Sequence, residues 1–324
     1  MIVLGIASGS FERVDEVISR GVKAHDASAT LIEDGRVLAA AEEERFNRYK
    51  HSGKLPYRAI RHCLATANIE LGDVRKFVFS SVEDQFNLYL QAAYSNRFID
   101  DCRHIRPFIQ RLFHREFDCS VDPRRFEFVD HHYAHAMSAY IPSGFERALV
   151  VTLDGVGSDL SGSVWLGASG KLTHIRNYDG RFAATTQSLG HLYSLITAFL
   201  GFRLFDEGKV MGLAAYGNRD RLSYLFEQLY ELGEQGDYQI HLSKVDLIRE
   251  ICPPLTRSDV TDQRYRDIAA ALQEAVERIA LHVVSFYQQE TGATRLCLAG
   301  GVAQNCVMNG RILSENLFDE VFVQ

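Results

Sequence analysis

Residues 130–157 read D-H-H-Y-A-H-A-M-S-A-Y-I-P-S-G-F-E-R-A-L-V-V-T-L-D-G-V-G, and the rest of the chain is organised around this stretch. Its first part is helix-like and carries His131 and His135 four residues apart. In a helix this spacing places both imidazoles on one face, one turn apart, where they can bind one metal ion. An isolated pair of this kind is more often structural, and His132 is expected to face away from the pair.

The second part of the stretch combines a strand with a glycine-rich end. Residues 148–153 are apolar and β-rich, which predicts a buried strand. The strand leads to Asp154, and Gly155 and Gly157 follow in a predicted turn. A carboxylate at a strand end beside flexible backbone suits a metal–phosphate site. Asp154 therefore joins the two histidines as a candidate ligand.

Length and composition limit the class of protein to which the chain can belong. The 324 residues have room for two domains or one large one, and the hydrophobic fraction of 46% supports a sizeable core. The net charge of −7 argues against nucleic acid as a partner. Because the six cysteines form no C-x-x-C pair and no apolar run reaches the ~18 residues of a membrane span, we expect a cytoplasmic protein with reduced thiols.

A pattern of three strands and one helix occurs twice, near residues 2–68 and 148–200. We therefore predict an α/β protein with two similar halves and a central cleft. The first half is predicted to span 1–147, with a helical insertion at about 84–117, and the second half to span 148–324.

Hydrophobic periodicity predicts the individual elements. The predicted strands are 2–7, 27–32, 36–41, 74–80, 126–129, 148–153, 162–166, 172–177, 295–298 and 321–323. Outside the insertion and the 130–157 stretch, the predicted helices are 56–68, 188–200, 264–290 and one that ends at Leu313. The polar segment Ser8–Lys23 is predicted as a loop with one helical turn.

Two further glycine-containing segments are candidate ligand contacts. Residues 206–213 are predicted as a turn in which Lys209 could contact a phosphate, although a solvated turn explains the segment equally well. A later strand breaks at Gly300 and Gly301, and a helix starts near Asn305. This junction offers backbone amides and the positive end of a helix dipole to an anion, although the glycines could also serve tight packing.

Six short segments recur in the order of a known family over nearly the whole chain. They are H-D-A-S-A at 25–29, A-E-E-E-R-F at 41–46 with Lys50, H-H-Y-A-H-A at 131–136, L-D-G-V-G at 153–157, E-G-K-V-M-G-L at 207–213 and L-A-G-G-V-A-Q-N-C at 298–306. Together they resemble the NodU/CmcH family of O-carbamoyltransferases, which act on natural products, antibiotics among them. The N-terminal domain of that family resembles the tRNA threonylcarbamoyladenosine-forming protein TsaD. Both belong to the actin-like ATPase superfamily, whose duplicated, ribonuclease H-like halves agree with the predicted repeat.

The resemblance implies a chemistry and a set of site residues. Carbamate derived from carbamoyl phosphate is activated by ATP as carbamoyl adenylate, and a hydroxyl of a small acceptor takes the carbamoyl group. By resemblance, iron(II) or another divalent metal is bound by His131, His135 and Asp154, while His25 lies at the acceptor hydroxyl and Lys50 at the adenylate. ATP with Mg is expected beside Gly155, Gly157, Lys209, Gly300, Gly301 and Asn305.

Two departures from the family pattern bear on function. The inserted segment Ser10–Lys23 is a candidate wall over the acceptor site, so the identity of the acceptor stays open. The family continues beyond Val323 into a G-D-x-G segment with another metal-binding aspartate, and then into a YrdC-like C-terminal domain that processes carbamoyl phosphate. We therefore expect this chain to be the N-terminal part of an enzyme that needs such a domain or subunit.

Other functions stay open at this stage. A tRNA threonylcarbamoyladenosine-type transferase is a second enzyme hypothesis, which the acidic charge and the H-D-A-S segment disfavour. A kinase of the same superfamily is a third. From a different class, the chain could be a catalytically silent ATP-binding partner subunit, and a homodimer is compatible with each hypothesis.

Overall fold

The computed structural model describes residues 1–7, 25–94, 104–257 and 261–324. These residues form two compact units, Met1–His131 and His132–Gln324. The loop predicted at Ser8–Lys23 lies outside the described residues. The division falls earlier than residue 147, because the helix that follows His131 packs on the sheet of the second unit.

The first unit is a five-stranded sheet with helices. Its strands are β1 (Ile2–Ala7), β2 (Ser28–Glu33), β3 (Arg36–Glu42), β4 (Lys76–Phe79) and β5 (Phe126–Phe128). The order is β3-β2-β1-β4-β5, with antiparallel pairing from β3 to β1 and parallel pairing from β1 to β5. The helices are α1 (Glu44–Asn47), α2 (Tyr57–Ala67), α3 (Glu83–Tyr94) and α4 (Ile105–Phe117).

The second unit repeats this topology. Its strands are β6 (Arg147–Gly157), β7 (Leu160–Ala168), β8 (Lys171–Asp179), β9 (Thr185–Thr186), β10 (Tyr230–Leu232), β11 (Tyr238–His241), β12 (Arg295–Ala299) and β13 (Glu320–Val323). The main sheet has the order β8-β7-β6-β12-β13, antiparallel from β8 to β6 and parallel from β6 to β13. Since this order matches that of the first unit strand for strand, the predicted α/β class with two duplicated halves is confirmed.

Seven helices are described for the second unit, the first of which begins at the boundary residue. They are α5 (His131–Ser143), α6 (Leu189–Phe199), α7 (Glu207–Ala214), α8 (Ser223–Phe226), α9 (Asp246–Arg249), α10 (Gln263–Thr291) and α11 (Cys306–Ser314). No helix in the described ranges is both long and apolar enough to cross a membrane.

Strand β6 separates two packed layers in the second unit. Successive side chains of a strand point to opposite faces. On one face, Ala148 and Val150 pack against α5. On the other face, Leu149, Val151 and Leu153 join the larger core with α6 and α10. The end of β6 is therefore held between helices on both sides.

One predicted turn is wrong, because residues 207–214 form helix α7. Gly208 and Gly212 suggested a turn, but glycine in a helix costs only about 1 kcal/mol relative to alanine. Val210 and Leu213 are buried in the core of the second unit, and this packing outweighs the cost. A small three-stranded sheet, β10-β11-β9, was not predicted.

Candidate metal centre and its surroundings

Helix α5 presents a pair of histidines at the edge of its buried face. His132, Ala136 and Ala139 are buried at positions that repeat with the helical period. His131 precedes this stripe, and His135 lies one turn further along, so neither ring points into the sheet. Both residues are partly buried. Partial burial is expected for a metal ligand that lies at the border of a core.

Strand alternation brings Asp154 to the same edge. Thr152 and Asp154 follow Val150 on the face of β6 that meets α5. The ligand atoms of His131, His135 and Asp154 all lie within 4.8 Å of one another. The His135 Nε2–Asp154 Oδ2 distance is 3.2 Å, close to the ~3 Å that separates two ligands at right angles on an ion with bonds of about 2.1 Å.

The donor set fits a divalent transition metal. Two imidazole nitrogens and one carboxylate oxygen suit iron(II), zinc and their neighbours, whereas Ca²⁺ and Mg²⁺ prefer oxygen ligands alone. The side chains of His135 and Asp154 are only 29% and 19% exposed. The structure thus brings the three predicted ligands together, and their role in metal binding stays a prediction.

Backbone amides orient the Asp154 carboxylate. Its Oδ1 accepts hydrogen bonds from the N–H of Gly155 at 2.7 Å and the N–H of Gly301 at 3.3 Å. The other oxygen, Oδ2, is the one beside His135. A carboxylate held in this way presents a defined oxygen to an ion, as partners outside the ligand set commonly do in metal sites.

The Gly300–Gly301 junction fits tightly against the end of β6. Gly300 has φ +95°, and a Cβ there would lie 2.3 Å from the Leu153 carbonyl oxygen. A Cβ on Gly301 would lie 2.9 Å from Asp154 Oδ1. Both glycines are therefore needed for close packing. This packing is compatible with the prediction that the junction also contacts a ligand.

The first turn of α6 packs directly on Gly155. Ser188 caps this helix by accepting the N–H of His191 at 3.0 Å, and its hydroxyl donates to the Gly155 carbonyl at 2.5 Å. A Cβ on Gly190 would lie 2.5 Å from Gly155 Cα, so only glycine permits the approach. The positive end of a helix dipole consequently lies beside the candidate metal centre.

His191 is a neighbour of the site that the sequence did not reveal. Burial lowers its pKa below 6.5, and the negative charge of Asp154 opposes this shift. Its Nδ1 is buried and has no hydrogen-bond partner among the residues that the structure describes. His191 therefore favours the neutral form next to the candidate ligands.

His132 serves the fold, as its predicted orientation away from the pair implies. It is fully buried, with Nε2 3.0 Å from the Leu160 carbonyl oxygen and Nδ1 2.8 Å from Thr152 Oγ1. Since a carbonyl only accepts, Nε2 carries the proton and Nδ1 accepts from the threonine hydroxyl. Thr152 Oγ1 also accepts the N–H of Ser163.

A cavity of about 520 Å³ lies in the second unit, beside a buried polar network. Gln273 and Asn305 exchange hydrogen bonds of 2.8 and 3.0 Å, and Gln273 also donates to Glu277 at 2.8 Å. Asn305 caps helix α11 by accepting the N–H of Met308. Burial raises the pKa of Glu277. The cavity is lined by Met211, Ala214, Ala215, Gly217, Asn218, Arg219, Asp220, Ala270, Gln273, Glu274, Glu277 and Val307.

The structure gives Gly157 and Lys209, two of the predicted ligand contacts, surroundings that the sequence did not predict. Gly157 does not lie in a turn, because it pairs with Leu160 across the β6–β7 hairpin, whose turn is formed by residues 158 and 159 with positive φ. The strand is irregular between Leu153 and Gly157, so Asp154 and Gly155 lie in this interruption. The exposed side chain of Lys209 pairs with Asp206 at 2.6 Å.

The remaining two predicted residues, His25 and Lys50, belong to the first unit. The Ala27 N–H donates to the Ser52 carbonyl at 2.7 Å, which joins the H-D-A-S segment to the loop that carries Lys50. Nδ1 of His25 lies 2.7 Å from Asp26 Oδ2, and Lys50 is exposed. These two segments, far apart in sequence, thus lie together within the unit.

A protein-family model described as the carbamoyltransferase N-terminus matches residues 19–324. The chain is 39% identical over 329 residues to nodulation protein NolNO of Sinorhizobium fredii (strain NBRC 101917 / NGR234). That alignment covers 100% of this chain and 47% of NolNO. The chain spans about half the length of the curated relatives it matches.

Two solved structures resemble the chain in fold. Component A of the (R)-2-hydroxyglutaryl-CoA dehydratase of Acidaminococcus fermentans has a TM-score of 0.52 at 14% identity, over 100% of this chain and 92% of that chain. The activator of the 2-hydroxyisocaproyl-CoA dehydratase of Clostridium difficile, solved with bound ADPNP, has a TM-score of 0.50 at 11% identity, over 100% and 88%. At these identities the likeness concerns the fold alone.

Proposed function

Since this chain belongs to the carbamoyltransferase family, we propose that it is the nucleotide- and acceptor-binding part of an ATP-dependent O-carbamoyltransferase. Carbamate derived from carbamoyl phosphate attacks ATP, giving carbamoyl adenylate and pyrophosphate. A hydroxyl of a small natural product then attacks the carbamoyl carbon, and AMP leaves. The observation that carries the proposal is the cluster of His131, His135 and Asp154 beside the Gly300–Gly301 junction.

The three clustered side chains would hold one divalent ion. Two histidines and a carboxylate suit iron(II), and an ion held there would neutralise phosphate charge and orient the nucleotide. The protein contributes the geometry, because the amides of Gly155 and Gly301 fix the carboxylate of Asp154. The positive end of the α6 dipole at the same place would favour the phosphates of the nucleotide and not the cation itself.

The nucleotide is proposed to bind to the second unit. Its adenosine side would occupy the cavity lined by α7 and α10, since pockets for ligands of this size measure about 300–1,000 Å³. Its phosphates, with Mg, would approach Gly155 and the Gly300–Gly301 junction. Lys209 would exchange its partner Asp206 for a phosphate oxygen. A protein of similar fold was solved with bound ADPNP, which supports a nucleotide as the ligand.

The acceptor chemistry is assigned to the first unit. His25 would take the proton of the acceptor hydroxyl, and Lys50 would stabilise the carbonyl oxygen as negative charge develops on it. Carbamate would come from a YrdC-like C-terminal domain or subunit.

Metal analysis tests the cluster. After chelation and anaerobic reloading with iron(II), His135→Ala should lose most of the metal, whereas His174→Ala, which removes an exposed histidine of the same unit, should retain it. Equal metal content in His135→Ala and the unaltered chain would exclude His135 as a ligand.

Calorimetry and a product assay test the nucleotide and the reaction. Ala215→Trp should fill the cavity and weaken ATP binding by at least about 10-fold, whereas tryptophan at exposed Ala168 should not. With the C-terminal domain, carbamoyl phosphate and ATP added, the unaltered chain should release pyrophosphate and carbamoylate an acceptor. ATP binding without pyrophosphate release would favour the silent partner subunit.

A further inference from the structure

One carboxylate in the first unit serves two imidazoles. Oδ2 of Asp26 lies 2.7 Å from Nδ1 of His25, and Oδ1 of Asp26 lies 2.9 Å from Nδ1 of His51. The two histidines are distant in sequence, and both are partly exposed. Both carboxylate oxygens thus face ring nitrogens of the same kind.

The backbone holds this arrangement in place. Asp26 has φ +54° and His51 has φ +56°, so both occupy the left-handed region that aspartate and histidine tolerate better than most residues. The N–H of His51 donates to Glu44 Oε2 at 2.9 Å. The Ala27–Ser52 hydrogen bond ties the two segments together directly beside the pair. The cluster is therefore built by local structure and does not depend on chance side-chain contacts.

The geometry determines the tautomer of each ring. An ionised carboxylate only accepts hydrogen bonds, so both Nδ1 atoms carry a proton. The hydrogen bond with His25, opposed by burial and assisted by His51, lowers the pKa of Asp26 to about 2. The carboxylate is then ionised at every pH at which histidine titrates. In the neutral ring the lone pair lies on Nε2, the nitrogen that can accept a proton.

We propose that Asp26 positions His25 for the acceptor step and that His51, through the same carboxylate, tunes the proton affinity of His25. This inference rests on the proposed function, in which His25 takes the hydroxyl proton. Two imidazolium rings beside the same carboxylate repel each other, so protonation of one ring disfavours protonation of the other. Among the described residues, the carboxylate of Glu44 also lies beside the pair, with an oxygen within 4.8 Å of the ligand atoms of Asp26 and His51.

The coupling predicts opposite effects for two substitutions. Asp26→Asn removes the charge that favours protonated His25, so the acid limb of the pH–rate profile for carbamoyl transfer should move to lower pH. His51→Gln removes the competing ring, so the limb should move to higher pH, each by about 0.5–1 unit. Because Asn does not fix the tautomer, Asp26→Asn should also lower the transfer rate about 100-fold or more while pyrophosphate release is unchanged.

The experiment uses the full chain with its C-terminal partner and two matched controls. Asp118→Asn changes another aspartate with positive φ and should leave the profile unmoved. Asp26→Glu, which restores the charge, should recover part of the lost rate. Shifts of the same sign in Asp26→Asn and His51→Gln, or no shift in either, would overturn the inference.

A second measurement decides the inference even if the proposed function fails. Long-range ¹H–¹⁵N spectra of histidine-labelled protein should show Nδ1–H tautomers for both rings, assigned with His25→Gln and His51→Gln. Asp26→Asn offers one acceptor oxygen and one donor NH2, so at least one ring should lose this tautomer. An Nε2–H tautomer for His25, or a metal-induced change of both rings with zinc added, would overturn the inference. Failure of the proposed function would appear differently, as absence of carbamoyl transfer by the unaltered enzyme.

Discussion

The substitution Gly301→Ala, which adds a single methyl group, should lower metal affinity and leave the free energy of unfolding nearly unchanged. Gly301 has φ −60° and ψ −39°, which alanine adopts without strain, so the backbone tolerates Gly301→Ala. The new Cβ would nevertheless lie 2.9 Å from Asp154 Oδ1, where ordinary contact begins at 3.4 Å. The carboxylate must therefore move by about 0.5 Å, and the hydrogen bond from the Gly301 N–H to Oδ1, already 3.3 Å long, would lengthen or break.

The expected loss follows from the role of Gly301 as an orienting partner. Removing a hydrogen bond to a metal ligand typically lowers metal affinity by about 10- to 100-fold. This corresponds to about 1.4–2.7 kcal/mol of binding free energy. The free energy of unfolding of the metal-free chain should change by less than about 1 kcal/mol, because the displaced carboxylate is partly solvated and the alanine backbone is less flexible when unfolded.

The assay is a titration of the metal-free chain with iron(II) or manganese(II), followed by calorimetry, and urea unfolding without metal. Gly310→Ala is the matched control, because a Cβ there meets nothing within 4 Å. In helix α11 it should stabilise the fold by about 0.5–1 kcal/mol and leave metal affinity unchanged. A dissociation constant for Gly301→Ala within twofold of the unaltered chain would refute the role given to the Gly301 amide.

Three further outcomes are expected. Gly300→Ala should destabilise the metal-free chain by about 2–4 kcal/mol in urea unfolding, since φ +95° and the 2.3 Å approach to the Leu153 carbonyl both oppose a side chain. Thr152→Val should lower the free energy of unfolding by about 1–3 kcal/mol, because His132 Nδ1 and the Ser163 N–H both lose a buried partner. Burial raises the pKa of Glu277 above 4.5. The folded chain thus binds the proton more tightly, and the cost of burying the ionised group grows as pH rises through 4.5. Glu277→Gln should therefore raise the urea midpoint at pH 7.5, with the gain vanishing toward pH 4; a gain independent of pH would contradict this.

The metal-capable cluster was predictable because its signals are local. The spacing of His131 and His135 and the apolar run before Asp154 lie within one continuous stretch of sequence. The helical period and the strand period each fix which way a side chain points. Together they place the histidines at an edge and the carboxylate on the face that meets α5.

The parts that escaped prediction depend on packing between distant segments. His191 lies near Asp154 only because Gly190 lets α6 approach Gly155, and no periodicity encodes that approach. Helix α7 was predicted as a turn because its two glycines mask the contribution of Val210 and Leu213 to the core. The hydrogen bonds between Gln273 and Asn305 were not predictable either. The sequence pattern indicates only that Gln273 lies on a helix face and that Asn305 caps a helix.

The contrast between near and distant partners of Asp154 has a consequence for folding kinetics. The candidate ligands come from one helix and the next strand, so closing their loop costs little entropy and can precede most of the second sheet. The orienting amide of Gly301 arrives from 147 residues away. Capture of an ion by the proposed ligands would therefore begin in a partly folded chain, and its affinity would rise only when β12 docks beside β6. An ion at 100 times its dissociation constant would then stabilise the finished fold by about 2.7 kcal/mol. Metal supply during synthesis would thus influence how much of the chain reaches the native state.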